Sequence, residues 1–454
     1  MADTVRFAPS PTGKLHIGNV RTALYNWFEA GKGGRFILRF DDTDTGRSEQ
    51  RYADQITADM AWLGIMPDLV VRQSDRLGLY DAAADRLRDA GLLYPCFETP
   101  EELERKRVRQ RARGLPPIYD RAALALGTDE KAALEAEGRR PHWRFKLPDG
   151  PRTFADRCRE SLTVNLGALS DPVLIREDGS YLYTLTSVVD DADLGVTLVV
   201  RGEDHVTNTG VQIALFEALG APVPAFAHHN LLTRTDGEPL SKRDNPLSIR
   251  ALAAAGFEPM AVASLGALTG TSHPVAPAAD LAALASTVSL GDMSRGPAMF
   301  DPAELERLNA AIVHALPVAA IERELAEQGL AGPEAAAFWE TVQGNLTFRH
   351  ELGGWAERLA QAPDTVMAGA DPLSAEDRAV VAAAAEALPA EPWDDATFGA
   401  WTKAVRAETG AKGKALFMPL RRALTGTASG PELGPWLHLL GRQRALDRLS
   451  AALN

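Results

Sequence analysis

The chain has 454 residues, 45% of them apolar and 24% charged, and a formal net charge of −13. That length and composition imply a globular protein of roughly two to four domains, and the acidic balance argues against nonspecific nucleic-acid binding across the whole surface. With only Cys96 and Cys158, neither a disulfide framework nor a four-ligand zinc cluster is available, and with no apolar run of about 18 residues a cytosolic protein is expected.

In chain order, "TVRFA" is a short strand-forming run, and Ile17 to Ala30 sets Val20, Ala23, Leu24, Trp27 and Phe28 on one helical face. "GKGG" stops that helix and "RFILRF" reads as a second strand, which makes a βαβ unit. Further helices are expected from about Glu49 to Leu63 and from about Leu77 to Ala90, so a parallel sheet flanked by helices is the natural fold. The alternation breaks near Pro95, and residues 93–180 read as an insertion inside one doubly wound domain. Strand-like runs then return in "PVLIRE", "SYLYTL" and "VTLVVRG", with "REDGSY" as a hairpin turn. After about Pro246 the chain is Ala-rich and helical, and "SAED" from Ser374 to Asp377 is a capping signal ahead of "RAVVAAAAEAL". The fold class is therefore α/β, a doubly wound parallel sheet with an α+β insertion, followed by an all-α C-terminal half.

Charge is unevenly spread. "RKRVRQRAR" from Arg105 to Arg113 carries six cations and no anion, residues 251–400 hold 6 Lys/Arg against 21 Asp/Glu, and the final 54 residues hold nine against three. Two basic stretches separated by an acidic one suit either solvated helix faces or contact points for a long polyanion.

Three stretches carry the chemistry. "APSPTGKLHIGN" lies between the carboxyl end of the first strand and the first helix, where an α/β sheet opens its ligand crevice. The helix N-terminus at Ile17, with Gly13 and Gly18, lets phosphates approach the backbone, and His16 can bond a phosphate oxygen as charge develops; a Pro/Gly loop with a capping histidine is the plainer alternative. "RFDDTDTGRS" crowds Asp41, Asp42 and Asp44 at the same sheet edge, where a substrate ammonium or an arginine would relieve their repulsion. "PLSKRD" places Lys242 and Arg243 after a "TDGE" turn, where they can neutralise a polyphosphate.

In this order, "RFAPSPTGKLHIGN", "LRFDDTDTGRS", "YLYTLTSVVDDADLGVTLVVRGEDHVTNT" and "PLSKRD" resemble the class I aminoacyl-tRNA synthetases, and within them the bacterial glutamyl-tRNA synthetases, over essentially the full length. The resemblance implies that glutamate and ATP give glutamyl-adenylate and pyrophosphate, after which the glutamyl group passes to the terminal adenosine of tRNA-Glu, with tRNA-Gln, or both, as the alternative acceptor. By position, Arg6 and Ser10 would face the glutamate, Arg201 or Arg6 would fork onto its side-chain carboxylate beside Tyr183, and Ser187 would lie nearby. Asp41 would take the α-ammonium. Thr12, Gly13, His16, Gly18 and Asn19 would bind ATP, and Ser241, Lys242 and Arg243 would close over the triphosphate, with His16, Gly18 and Lys242 carrying catalysis. Mg²⁺ should accompany the ATP without a permanent protein ligand.

The family's organisation implies a nucleotide-binding domain in two halves, residues 1–92 and 181–235, split by an acceptor-end-contacting insertion at 93–180. A stem-contact region with the KMSKS-type loop would follow at 236–310, and helical anticodon-binding domains at 311–454, in a monomer. Aromatics such as Trp393, Trp401 and Phe417 would then either stack on anticodon bases or fill the helical core.

Several positions depart from the family pattern. Asn19 stands for the last His of the HIGH motif, Asp41 for a Glu, Ser187 for an Asn, and Pro239 for the first Lys of KMSKS. Where some relatives hold zinc in the insertion, this chain keeps only Cys96, so no zinc is expected. A small-molecule nucleotidyltransferase, a noncatalytic tRNA-binding paralogue and a glutaminyl enzyme are the competing readings. The long helical half argues against the first, and its lack of a β-barrel pattern against the last.

Overall fold

The first strand, β1 (Thr4–Phe7), buries Val5, Arg6 and Phe7 in succession, so both of its faces are covered. The computed structural model describes residues 2–44, 46–234, 247–368 and 371–454, without the side chain of Arg234. After β1 come α1 (Ile17–Ala30), β2 (Arg35–Phe40), α2 (Gln50–Trp62), β3 (Leu69–Arg72) and α3 (Leu77–Asp89). The three strands pair in parallel in the order β1-β2-β3, as the βαβ pattern predicts.

The next segment holds β4 (Leu93–Cys96), α4 (Pro100–Ala112), α5 (Thr128–Ala136), β5 (His142–Phe145), β6 (Pro151–Asp156), β7 (Glu160–Asn165) and β8 (Val173–Ile175). β4, β5 and β8 form an antiparallel sheet of their own. The β6-β7 hairpin instead extends a second sheet, with β9 (Leu198–Gly202) and β10 (Ala225–His229) in the order β7-β6-β10-β9. Residues 93–180 are thus shared between two sheets.

Between these strands lie α6 (Tyr183–Asp193) and α7 (Val206–Ala218). The expected strand "SYLYTL" is therefore a correction: only Tyr181 makes a bridge, to Ile175, and Tyr183 opens a helix. Leu185, Val188 and Val189 recur at helical spacing and are all buried, and that longer-range burial overrides the local alternation. The "REDGSY" turn is as expected, with Arg176 N–H donating to Ser180 O at 2.9 Å and Gly179 at φ 85°.

β1 and β9 join the two half-sheets. Thr197 N–H donates to Thr4 O at 2.9 Å, and Thr4 N–H to Thr197 Oγ1 at 2.9 Å. The residues leaving β1 and β9 therefore face one another at the place where strand order diverges to either side, the standard position of a ligand crevice.

The chain divides into two compact units, residues 1–255 with 259–302, and residues 256–258 with 303–454. The first also holds β11 (Leu232–Arg234), α8 (Ile249–Ala254), α9 (Pro259–Leu268), α10 (Leu281–Thr287) and β12 (Ala298–Phe300). α9 packs on α1, where Tyr25 donates to Ala267 O at 2.8 Å.

The second unit is helical among its described residues. Its core gathers Phe338, Trp339, Val381, Trp401, Leu420 and Trp436. Ser374 caps the helix Ala375–Glu386: Asp377 N–H donates to its Oγ, and its own N–H donates to Asp377 Oδ2, both at 3.1 Å. Of the three aromatics named above, Trp401 is core and donates to Ala384 O, and Trp393 is half-buried, whereas Phe417 is 42% exposed. Among the described residues no helix is long and apolar enough to cross a membrane.

Candidate active site

The loop after β1 ends in a cap. His16 precedes α1 in extended geometry, its Nδ1 accepts the Gly18 N–H at 3.1 Å, and Asn19 Oδ1 accepts the His16 N–H at 3.2 Å. The histidine that caps the helix is the one expected to meet a phosphate, so the two readings fall on one residue. With Nδ1 used as acceptor and burial holding the ring below its ordinary pKa, the proton of the neutral imidazole sits on Nε2, a donor. Gly18 leaves room for this: a Cβ there would crowd His16 Cε1 and Nδ1 at 3.0 Å.

A cavity of about 740 Å³ opens at the ends of β1 and β9. Eight of the expected residues line it: Arg6, Ser10, His16, Gly18, Asn19, Asp41, Tyr183 and Arg201. Three others are not brought there. Thr12 is exposed and Gly13 half-buried away from the lining, while Ser187 is fully buried on α6 and accepts from Gln212 Nε2 at 2.7 Å. Ser241, Lys242 and Arg243, with Pro239, lie outside the described residues. Ser248 bridges to His16, and Ile249 N–H donates to Leu15 O at 3.0 Å.

The three acids of "RFDDTDTGRS" each find an arginine of the chain. Arg39 grips Asp41 at 2.7 and 3.3 Å, Arg72 reaches Asp42 at 3.2 Å, and Arg47 reaches Asp44 at 2.6 Å. Asp41 thus enters the cavity with both oxygens already engaged, and burial pushes its carboxyl up against the pull of Arg39. Behind it lies a buried charge network that the motif spacing does not announce. Asp191 accepts from Arg6 Nε at 3.1 Å and Arg39 Nη1 at 2.6 Å, and Asp190 accepts from Gln73, Arg76 and Tyr80. The adjacent acids inside the apolar "LTSVVDDADLG" are the signal that could have found it.

The two candidate arginines differ in one respect. Arg6 has Asp191 as counter-charge, whereas no described carboxylate lies within ion-pair distance of Arg201. Arg201 is 5% exposed, and its partners are Tyr183 Oη at 2.9 Å, Thr209 Oγ1, His228 Nε2 at 3.4 Å and His205 O at 3.5 Å. Burial without a counter-ion holds this guanidinium below its ordinary pKa. An anion entering the cavity would supply the missing charge.

The cavity also includes Thr22, Asp204, His205 and His229, to which sequence reasoning assigned no role although "RGEDH" is part of the quoted pattern. Burial, then the Arg201 charge, takes His205 down to about 4, and burial takes His229 down to about 3. Both are neutral near pH 7. A larger cleft of about 900 Å³ lies in the helical unit beside Phe398, Phe417 and Arg421. It has no comparable set of converging buried cations and donors, so chemistry rather than size selects the strand-end cavity. Among the described residues no group of three or more His, Cys, Asp or Glu is placed to hold a metal.

The histidine-capped helix and the buried arginine thus meet at the strand ends of a parallel sheet, the place where α/β folds bind ligands. Residues 4–305 match the family model of the catalytic domain of class I tRNA synthetases (E and Q), and residues 310–453 match an anticodon binding domain. The chain is 58% identical over 450 residues to glutamate-tRNA ligase 2 of Methylobacterium sp., covering 99% of each. It is 55% identical over 459 residues to glutamate-tRNA ligase 1 of Chelativorans sp., covering 99% of this chain and 100% of that one. Among solved structures, the glutamate tRNA ligase of Elizabethkingia meningosepticum in complex with its amino acid superposes with TM-score 0.84 at 25% identity, over 100% of this chain and 99% of that one. The chain belongs to the class I tRNA synthetases and, within them, to the glutamate-tRNA ligase family.

Proposed function

We propose that this chain activates L-glutamate with ATP at the strand-end cavity and passes the glutamyl group to the 3′-terminal adenosine of tRNA-Glu. The observation that carries the reading is Arg201, a buried guanidinium on the cavity wall whose partners among the described residues are all neutral. It is suited to a substrate side-chain carboxylate, with Tyr183 beside it; Arg6, already neutralised by Asp191, flanks rather than binds. Asp41, backed by Arg39, faces the α-ammonium, and Ser10 lies at the same rim.

Chemistry then needs no protein nucleophile. The glutamate α-carboxylate oxygen attacks the α-phosphorus of ATP and pyrophosphate leaves, so the protein contributes position and charge neutralisation. His16, with its Nε2–H, donates to a phosphate oxygen as negative charge builds, and Gly18 and Asn19 open the α1 N-terminus to the nucleotide. Lys242, with Ser241 and Arg243, closes over the triphosphate. Mg²⁺ arrives with ATP. Among the described lining residues Asp204 has no arginine partner and would be free to reach such an ion, through water rather than as a permanent ligand.

The tRNA would lie along the cationic α4 near its acceptor end and on the helical unit at its anticodon. Both cysteines are unpaired, which fits a cytosolic enzyme, and we place it there as a monomer. Glutamate-dependent pyrophosphate exchange, with and without tRNA, and charging of purified tRNA-Glu and tRNA-Gln test the proposal. Glutamylation of tRNA-Glu is expected; glutamylation of neither tRNA would refute it.

A further inference from the structure

Arg6 and Arg39 are held by carboxylates in direct contact, but Arg201 is held differently. Behind it, on β10, stands His228, and behind His228, on β6, stands Asp156; both side chains are fully buried. Asp156 Oδ1 accepts three backbone N–H groups, from Cys158 and Arg159 at 2.9 Å and from His228 at 3.3 Å. Its Oδ2 lies 2.6 Å from His228 Nδ1, so Nδ1 carries the imidazole proton and Nε2 is bare. That bare Nε2 is 2.8 Å from Thr209 Oγ1 and 3.4 Å from Arg201 Nε. Nη1 of Arg201 meets Tyr183, and Nη2 meets Thr209. All three nitrogens of the guanidinium are thus oriented by neutral acceptors, and the nearest carboxylate in this chain of contacts stands one imidazole ring away.

We infer that Asp156 and His228 are positioning residues for Arg201, fixing the guanidinium without neutralising it so that it selects a carboxylate over the isosteric amide. This rests on the reading of Arg201 as the residue that binds the glutamate side chain. A directly contacting aspartate would orient Arg201 equally well but cancel the charge that distinguishes glutamate from glutamine. Interposing a neutral histidine keeps the orientation and leaves the charge for the ligand. Protonation fits this arrangement. Burial holds His228 below its ordinary pKa with Arg201 adding to the effect, and the His228 hydrogen bond keeps the Asp156 carboxyl low despite burial.

Asp156→Asn tests the inference sharply, because the three backbone donors at Oδ1 force the amide oxygen to stay where it is. The amide NH₂ must then face His228 Nδ1, which shifts the ring proton to Nε2 and sets it against Arg201 Nε–H. In pyrophosphate exchange by the full-length protein with tRNA present, KM for glutamate should rise about 10-fold or more, while kcat and KM for ATP stay within about 3-fold. Glutamine, as a competitor, should lose much less affinity, so the acid-over-amide ratio should fall. His228→Gln, which restores an acceptor toward Arg201, should recover part of the loss seen in His228→Ala. A thermal melt accompanies each variant. If Asp156→Asn keeps the wild-type KM for glutamate and the wild-type acid-over-amide ratio, the inference is wrong. It is equally wrong if ATP affinity, kcat and melting temperature all fall together with glutamate affinity, since that is the mark of a merely structural tie between β6 and β10. Arg201→Lys separates the two levels: an unchanged KM for glutamate there removes the underlying reading, whereas a raised one beside an unaffected Asp156→Asn removes the inference alone.

Discussion

His16 Nδ1 accepts the N–H of Gly18 at 3.1 Å, so the ring that closes the first helix turn is the ring that faces the cavity. Helix capping and the proposed phosphate binding are therefore separable by substitution. His16→Asn keeps a good N-cap and should leave stability within about 0.5 kcal/mol. It removes the Nε2 donor, and glutamate activation should fall about 100-fold. Thermal melts beside pyrophosphate exchange check both halves.

Gly18→Ala should act through the same ring. The added Cβ lands 3.0 Å from His16 Cε1 and Nδ1, so the imidazole must give by a few tenths of an ångström. A displacement of that size should cost up to about 10-fold in activation rate. Steady-state kinetics should show the loss in kcat, with KM for glutamate nearly unchanged.

His229 predicts an acid-sensitive fold. Its Nδ1–H faces Asn230 O at 3.0 Å, Thr22 Oγ1 lies 2.9 Å from Nε2, and burial takes its pKa to about 3. An unfolded histidine titrates near 6.5, so between about 6.5 and 3 the unfolded chain binds the extra proton. The stability contributed by neutral His229 is complete above that window and is lost as pH falls through it. Urea denaturation at several pH values should show declining stability below neutrality, with a shallower decline in His229→Asn.

Arg448 ties helix ends together in the second unit. It is 1% exposed and donates to Leu424 O at 2.6 Å, Arg358 O at 2.5 Å, Leu359 O at 3.2 Å and Gln361 O at 3.3 Å. These carbonyls end two helices, where orphan acceptors and the negative dipole end favour a cation. Burial without a carboxylate takes its pKa down to about 10. Arg448→Met should destabilise the unit by about 2–4 kcal/mol, measured by denaturant unfolding, because the buried carbonyls lose their donor.

On α4, Arg109 and Arg113 make no ion pair with a described residue, unlike Arg107 and Arg111, which share Glu104. Replacing both with Ala should raise KM for tRNA and flatten its salt dependence by about one to two log units per log unit of salt. Glutamate and ATP constants should not move. An unchanged salt slope would place the tRNA elsewhere.

What the chain determines by itself is local. The helix Ile17–Ala30 follows from an apolar stripe and a glycine stop within 14 residues, and the Ser374 cap from four adjacent residues. The gathering of His16 and Asp41 at one edge was legible too, because strand ends in a doubly wound sheet share a side, whereas Arg201 was placed with them only through the family resemblance. "SYLYTL" misleads because burial of α6 depends on helical neighbours beyond the six-residue window. Tertiary structure alone decided the electrostatics. Arg6 and Arg201 look alike as residues, but α6 brings Asp191 to the first while β6 brings Asp156 only as far as an intervening histidine. Ser187 is likewise turned into the core by the helix that carries it, and Asp41 meets Arg39 two residues back along its own strand end. Propensity and periodicity act over a few residues, whereas the counter-charge of a buried arginine comes from whichever distant element packs against it.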